Sequence, residues 1–152
     1  LNINDGSCME KGGEREGIIR MVMALKDDGR PIDPEDLLKQ MKVYYAGSGR
    51  KGPSRALVLN MIREQAHLLK LDEHLALKAL TRLIPTIEGR KRALDLVSQM
   101  IISKKPFSEK QKITLARLRK ILGLQYFYLE RFKPPNLHEQ RFIIRKRVDK
   151  LM

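Results

Sequence analysis

From Ile18 onward, apolar residues recur three and four positions apart. Each such run closes on glycine or proline and reopens behind a side chain able to cap a helix. That rhythm constrains the fold more than any other feature, because a 3.6-residue period places one apolar stripe on each helix and leaves no room for a strand's strict alternation. Ile18, Met21, Val22 and Leu25 form the first stripe, which stops at Asp27-Asp28-Gly29-Arg30-Pro31. Glycine there permits a helix stop, and Pro31 disfavours helix at Arg30. Asp33 then caps a second helix, Pro34 fits its first position, and Glu35 and Asp36 oppose the positive end of the helix dipole. That helix runs through Leu37, Leu38, Met41 and Tyr44/Tyr45 to a loop, Ala46 to Pro53, that reads as flexible.

Ser54 caps the next predicted helix, Arg55 to Lys70. Asp72 caps another, Glu73 to Ile84, which Pro85 terminates. Arg90 to Ile102 carries Leu94, Val97, Met100 and Ile101. Ser108 and Gln111 have capping-box spacing, opening Glu109 to Leu122, and Gly123 is a natural stop. Gln125 to Arg131 reads as a short helical piece, and Asn136 caps a last helix, Leu137 to Leu151. The expected fold is all-α: a compact bundle of about seven helices. Its two halves read as related helical hairpins, since at an offset of 75 residues Pro31-Ile32-Asp33 falls on Pro106-Phe107-Ser108. In both triplets proline stops a helix, an apolar residue fills the corner and a polar residue caps the next helix.

Residues 1–16, rich in glycine, read as a loosely attached opening, 17–124 as the bundle, and 125–152 as a basic extension ending in a helix. The chain opens on Leu1 rather than Met, which suggests a trimmed sequence. Its 152 residues suit one domain. A single cysteine excludes an internal disulfide framework, no apolar run is long enough for a membrane span, and no secretory pattern is visible, so a cytoplasmic location is expected.

The stretch Ala24-Leu25-Lys26-Asp27-Asp28-Gly29-Arg30-Pro31-Ile32-Asp33-Pro34-Glu35-Asp36-Leu37-Leu38 resembles the loop-helix signature of the TerB-like family. That family spans tellurite-resistance proteins and membrane-anchored DnaJ-like co-chaperones. The resemblance covers roughly 17–124 and implies an all-helical fold with two copies of the motif. It also implies an acidic surface suspected of binding metal, for which Asp28, Asp33 and Asp36 would be the candidates here. The second copy departs from the pattern: Ser103, Lys104, Lys105, Lys110 and Gln111 stand where acids would be expected. The resemblance therefore bears on the fold more than on a metal role.

Charge is the guide to function. Lys and Arg number 31 against 18 Asp and Glu, a net +13. Residues 1–76 hold 12 basic and 12 acidic side chains, and 77–152 hold 19 and 6, so the whole excess lies in the second half. A one-sided excess raises the local concentration of anions. Lys104, Lys105, Lys110, Lys112, Arg117, Arg119 and Lys120 surround one helical hairpin. Arg131 and Lys133 flank the next break, and Arg141, Arg145, Lys146, Arg147 and Lys150 load the last helix. Such an array answers to a phosphate backbone by releasing its condensed counterions. Among it, Tyr126 and Tyr128 are candidates to stack on unpaired bases, whereas Phe127 and Phe132 read as core.

Other chemistry is poorly provided for. Cys8 lacks an evident base or electropositive pocket. His67, His74 and His138 sit on separate helices without a metal-ligand motif. The acidic cluster Asp27 to Asp36 lacks the EF-hand ligand order and serves capping first. Gly47 to Gly52 lacks the Gly-Lys-Ser/Thr ending of a phosphate loop, although free amides beside Arg50 and Lys51 could meet a phosphate. The expected function is a non-catalytic helical module, without cofactor, binding RNA or DNA through its basic C-terminal half. The alternative is a TerB-like scaffold in a stress-response or membrane-associated assembly, partnered by an acidic protein or an anionic membrane face, with a weak divalent-metal site in the Asp27–Asp36 loop. The last helix could also pair with a second chain through Leu137, Ile144, Val148 and Leu151.

Overall fold

The computed structural model describes residues 8–26, 32–47, 49–102 and 105–125, and these are helices joined by short connections. In order they are α1 (Glu14–Leu25), α2 (Pro34–Ala46), α3 (Arg55–Leu71), α4 (Glu73–Lys78), α5 (Leu80–Leu83), α6 (Ile87–Ile102) and α7 (Glu109–Ile121). No strand occurs among the described residues, and none of their helices is long and apolar enough to cross a membrane. The expected short helix after Gln125 and the last helix at 137–151 lie outside the described residues.

Four predicted caps form as expected. Asp33 accepts from the Glu35 amide at 3.0 Å, Ser54 from Leu57 at 3.2 Å, Asp72 from Leu75 at 3.0 Å and Ser108 from Gln111 at 3.1 Å. Each satisfies an amide that a helix N-terminus otherwise leaves without a partner. Gln111 completes the box by accepting from the Ser108 amide at 2.9 Å, and its Nε2 donates to the Leu25 carbonyl at 2.8 Å. One buried side chain thus closes the start of α7 and seats it on the end of α1.

Three boundaries differ from the sequence reading. The helix expected from Glu73 to Ile84 is two pieces, α4 and α5, because the chain tightens at Ala79, whose carbonyl accepts from the Arg82 amide at 2.9 Å. The helix expected from Arg90 begins at Ile87, since Thr86 Oγ1 accepts from the Gly89 amide at 3.0 Å and caps three residues earlier. The third difference is at the front. Residues 8–16 are not loosely attached: α1 begins at Glu14 and Met9 is 1% exposed. Met9 packs with Ala76 and Ala79 in a small apolar cluster beside the main core.

The cause is Arg20. Its side chain is fully buried; Nε donates to Gln65 Oε1 at 2.7 Å, and Nη1 donates to the carbonyls of Met9 and Ala76, both at 2.8 Å. The guanidinium fork ties the opening segment, α3 and α4 to the middle of α1. Burial pulls its pKa down from the usual guanidinium range to about 10, with Cys8 and Glu16 acting in the opposite direction, so it stays charged at neutral pH.

α1 is the axis of the bundle. Eight of its residues are buried, from Gly17 to Met23 and Leu25, and it packs on α3, α5, α6 and α7. A helix covered on every side belongs at the centre. Gly17 allows the closest approach: a Cβ there would meet Ile84 Cδ1 at 2.9 Å. The two hairpins share a register, as α2 (34–46) and α7 (109–121) start and stop 75 residues apart. Their packing is reciprocal too, α1 meeting α7 and α6 as α6 meets α2 and α1.

Two arginines fasten loops. Arg15 Nη2 donates to the Lys51 carbonyl at 2.8 Å, and the amides of Gly49 and Arg50 return to the end of α2, to Ala46 and Tyr45. The described residues of the loop expected to be flexible are therefore tied back to α1 and α2, and these two amides are satisfied by carbonyls at the end of α2. Arg90 donates to the carbonyls of Ile84 (2.7 Å), Thr81 (3.2 Å), Pro85 (3.3 Å) and Leu122 (3.4 Å), joining the α5–α6 corner to the end of α7. α7 closes on Gly123, whose φ of +72° suits glycine, with the Leu124 amide bonded to the Arg119 carbonyl at 2.8 Å.

Candidate nucleic-acid interface

α7 presents the cationic array. Gln111, Leu115 and Leu118 face the core, and Leu122 beyond its end continues that buried line. With 100° per residue, Lys112 and Arg119 then fall on one flank, Lys110 and Arg117 on the other, and Lys120 opposite the core. Lys105, Lys110, Lys112 and Lys120 are exposed, while Arg117 and Arg119 are half-buried.

The two flanks differ in company. Arg117 turns toward α4, its Nη1 lying 3.5 Å from Glu73 Oε1 and its Nη2 3.4 Å from His74 Nδ1. One member of the array is thus met by a carboxylate from the electrically neutral half. Lys112 pairs at 3.1 Å with Glu109 of its own helix. Both pairs are solvent-exposed, where such an interaction contributes about 0–1 kcal/mol, and they leave the field of the helix largely in place. Glu109 is the one acidic residue on α7 against five basic ones.

Lys104, Arg131, Lys133, Arg141, Arg145, Lys146, Arg147 and Lys150, together with Tyr126 and Tyr128, lie outside the described residues, as does Asp28. Asp33 is occupied as the α2 cap. Asp36 is half-buried in the first turn of α2. Among the described residues no three His, Cys, Asp or Glu side chains stand close enough to hold a metal ion. His67 and His74 are exposed, on α3 and α4. Cys8 is half-buried beside the Met9 cluster.

Two cations missed in the sequence adjoin the array. A half-open groove of about 290 Å³ runs between the ends of α1 and α3 and the start of α7. Met23, Ala24, Ala66 and Leu69 make its apolar floor, and Lys26, Lys70, Lys110, Glu73 and Thr114 its rim. Lys26 and Lys70 belong to the neutral half, so charge counting passes over them. The available signal is that each stands at a helix C-terminus, where a cation offsets the dipole and is readily read as having no further role.

No family model, no curated protein and no solved structure matches this chain.

Proposed function

We propose that the protein is a non-catalytic helical module that binds nucleic acid through phosphate contacts made by α7 and the basic segment after it. The observation that carries this reading is the outward side of α7, where Lys112 and Lys120 are exposed beside a single carboxylate, Glu109. The core does not need these charges, since α7 is seated through Gln111, Leu115 and Leu118. Residues 126–152, which follow in sequence, hold 7 basic and 3 acidic side chains, so the cationic excess continues along the sequence. Charges further apart than about 8 Å are screened at physiological salt, and only a dense array acts on a partner as a unit.

Phosphate neutralisation supplies the affinity and carries little sequence preference. With about six phosphates neutralised on a duplex, log affinity falls with log salt at a slope of roughly −5. Fluorescence anisotropy of a labelled 20-base-pair duplex, titrated with the full chain at several salt concentrations, measures that slope. Lys112→Glu/Lys120→Glu is expected to weaken binding severalfold on every sequence and to flatten the slope by about two. A salt-independent affinity, or binding indifferent to this double variant, removes the reading.

A further inference from the structure

The groove between α1, α3 and α7 has a chemistry that a phosphate surface does not call for. Its floor is apolar, made by two alanines, Ala24 and Ala66, beside Met23 and Leu69. Its rim cations, Lys26, Lys70 and Lys110, come from the ends of three separate helices. Glu73, the one carboxylate among the lining residues, is faced by Arg117 at 3.5 Å, which leaves the rim positive.

We propose that this groove docks an acidic amphipathic segment of a partner protein. One or two of its apolar side chains would rest on the Met23–Leu69 floor, and its carboxylates would meet Lys26, Lys70 and Lys110. Charge complementarity selects this occupant. The chain's own residues 126–152 carry an excess of four positive charges and are repelled by the same lysines. Shape selects it as well. Sites for small molecules enclose about 70–90% of the ligand in roughly 300–1,000 Å³. A half-open groove of about 290 Å³ instead leaves one side to be covered by the backbone that presents the anchoring side chains. In such docking, buried apolar anchors give affinity and the charge pairs around them give rate and selectivity.

The groove shares Lys110 with the cationic array of α7, but its floor, Lys26 and Lys70 lie outside that array, so the two sites are separable in one set of full-length variants. The probe is a fluorescein-labelled 16-residue helical peptide with leucines at i and i+4 flanked by glutamates. Lys70→Glu/Lys110→Glu is expected to weaken its binding about tenfold. Lys110 lies in the first turn of α7, where a carboxylate is favoured, so the fold tolerates the change. Ala66→Leu fills the floor without altering charge and is expected to weaken the peptide comparably, with circular dichroism confirming the helical content. Lys112→Glu/Lys120→Glu should leave the peptide affinity unchanged while weakening duplex binding. The proposal is overturned if the peptide with glutamine in place of glutamate binds equally well, if an oligoglutamate without leucines does so, or if Lys70→Glu/Lys110→Glu has no effect. It is overturned equally if decanoate displaces the peptide completely at lower concentration, which would make the groove a pocket for small amphiphiles.

Discussion

α1 and α7 are helices of 12 and 13 residues, the first opening one hairpin and the second closing the other, and both carry arginine. In α1 the arginine is an internal strut. Arg20 is fully buried and directs three hydrogen bonds to Gln65, Met9 and Ala76. In α7 the cations at 112 and 120 are exposed, and the helix is held by Gln111, Leu115 and Leu118 instead. The difference teaches that net charge is two populations. Some of the cations are guanidinium groups converted into scaffold, as with Arg20 and Arg90, and only the remainder projects a field outward.

The comparison breaks most clearly at Arg20. Arg20→Met would leave three buried acceptors without their donor and is expected to lower stability by about 3 kcal/mol in urea unfolding. Arg20→Lys should recover little, because an ammonium cannot span the same fork. A loss under about 0.5 kcal/mol would show that the strut is dispensable and that α1 differs from α7 in burial alone.

A smaller effect sharpens the contrast at the other end of α1. Tyr45 is buried against its first turn, with its hydroxyl donating to Glu14 Oε1 at 3.4 Å and the Arg15 guanidinium 5.4 Å from the ring centre. Burial pushes the Tyr45 pKa well above 10, with Glu14 adding to the shift and Arg15 opposing it; burial also raises Tyr44. In the unfolded chain both tyrosines ionise near pH 10. Stability that is fully present below pH 10 is therefore lost as pH rises beyond it, at up to about 1.4 kcal/mol per pH unit for each tyrosine. Unfolding at pH 9, 10 and 11 should show the wild-type advantage over Tyr45→Phe shrinking along that series. A constant difference would place the Tyr45 hydroxyl in contact with water.

The smallest stability change belongs to α7. Ile113 is 70% exposed, so Ile113→Lys is expected to alter stability by less than about 0.5 kcal/mol while raising duplex affinity about twofold. Destabilisation beyond about 1 kcal/mol would mean that the outer side of α7 is covered after all.

Local chemistry was legible from residue order. Asp33, Ser54, Asp72 and Ser108 cap the helices they were expected to cap, because a cap depends on a side chain and an amide two or three positions on. Thr86 works in the same way but was obscured by Pro85, which reads as a terminator and not as a prelude to α6. What residue order hid was convergence. Nothing in the α1 stripe of Ile18, Met21, Val22 and Leu25 announces that Ile19, Arg20 and Met23 are also covered, since their covers come from α3, α4 and α6. The groove was hidden for the same reason, its lysines standing at 26, 70 and 110. The opening residues misled because glycine content describes freedom in the unfolded chain, whereas Met9 is fixed by a guanidinium eleven positions away.

Arg90 gives α7 a mooring. Its contact with the Leu122 carbonyl sets the last turn of that helix against the α5–α6 corner, 32 positions earlier in the chain. The beginning of α6 and the finish of α7 therefore hang on one joint, and loosening that guanidinium would free both together.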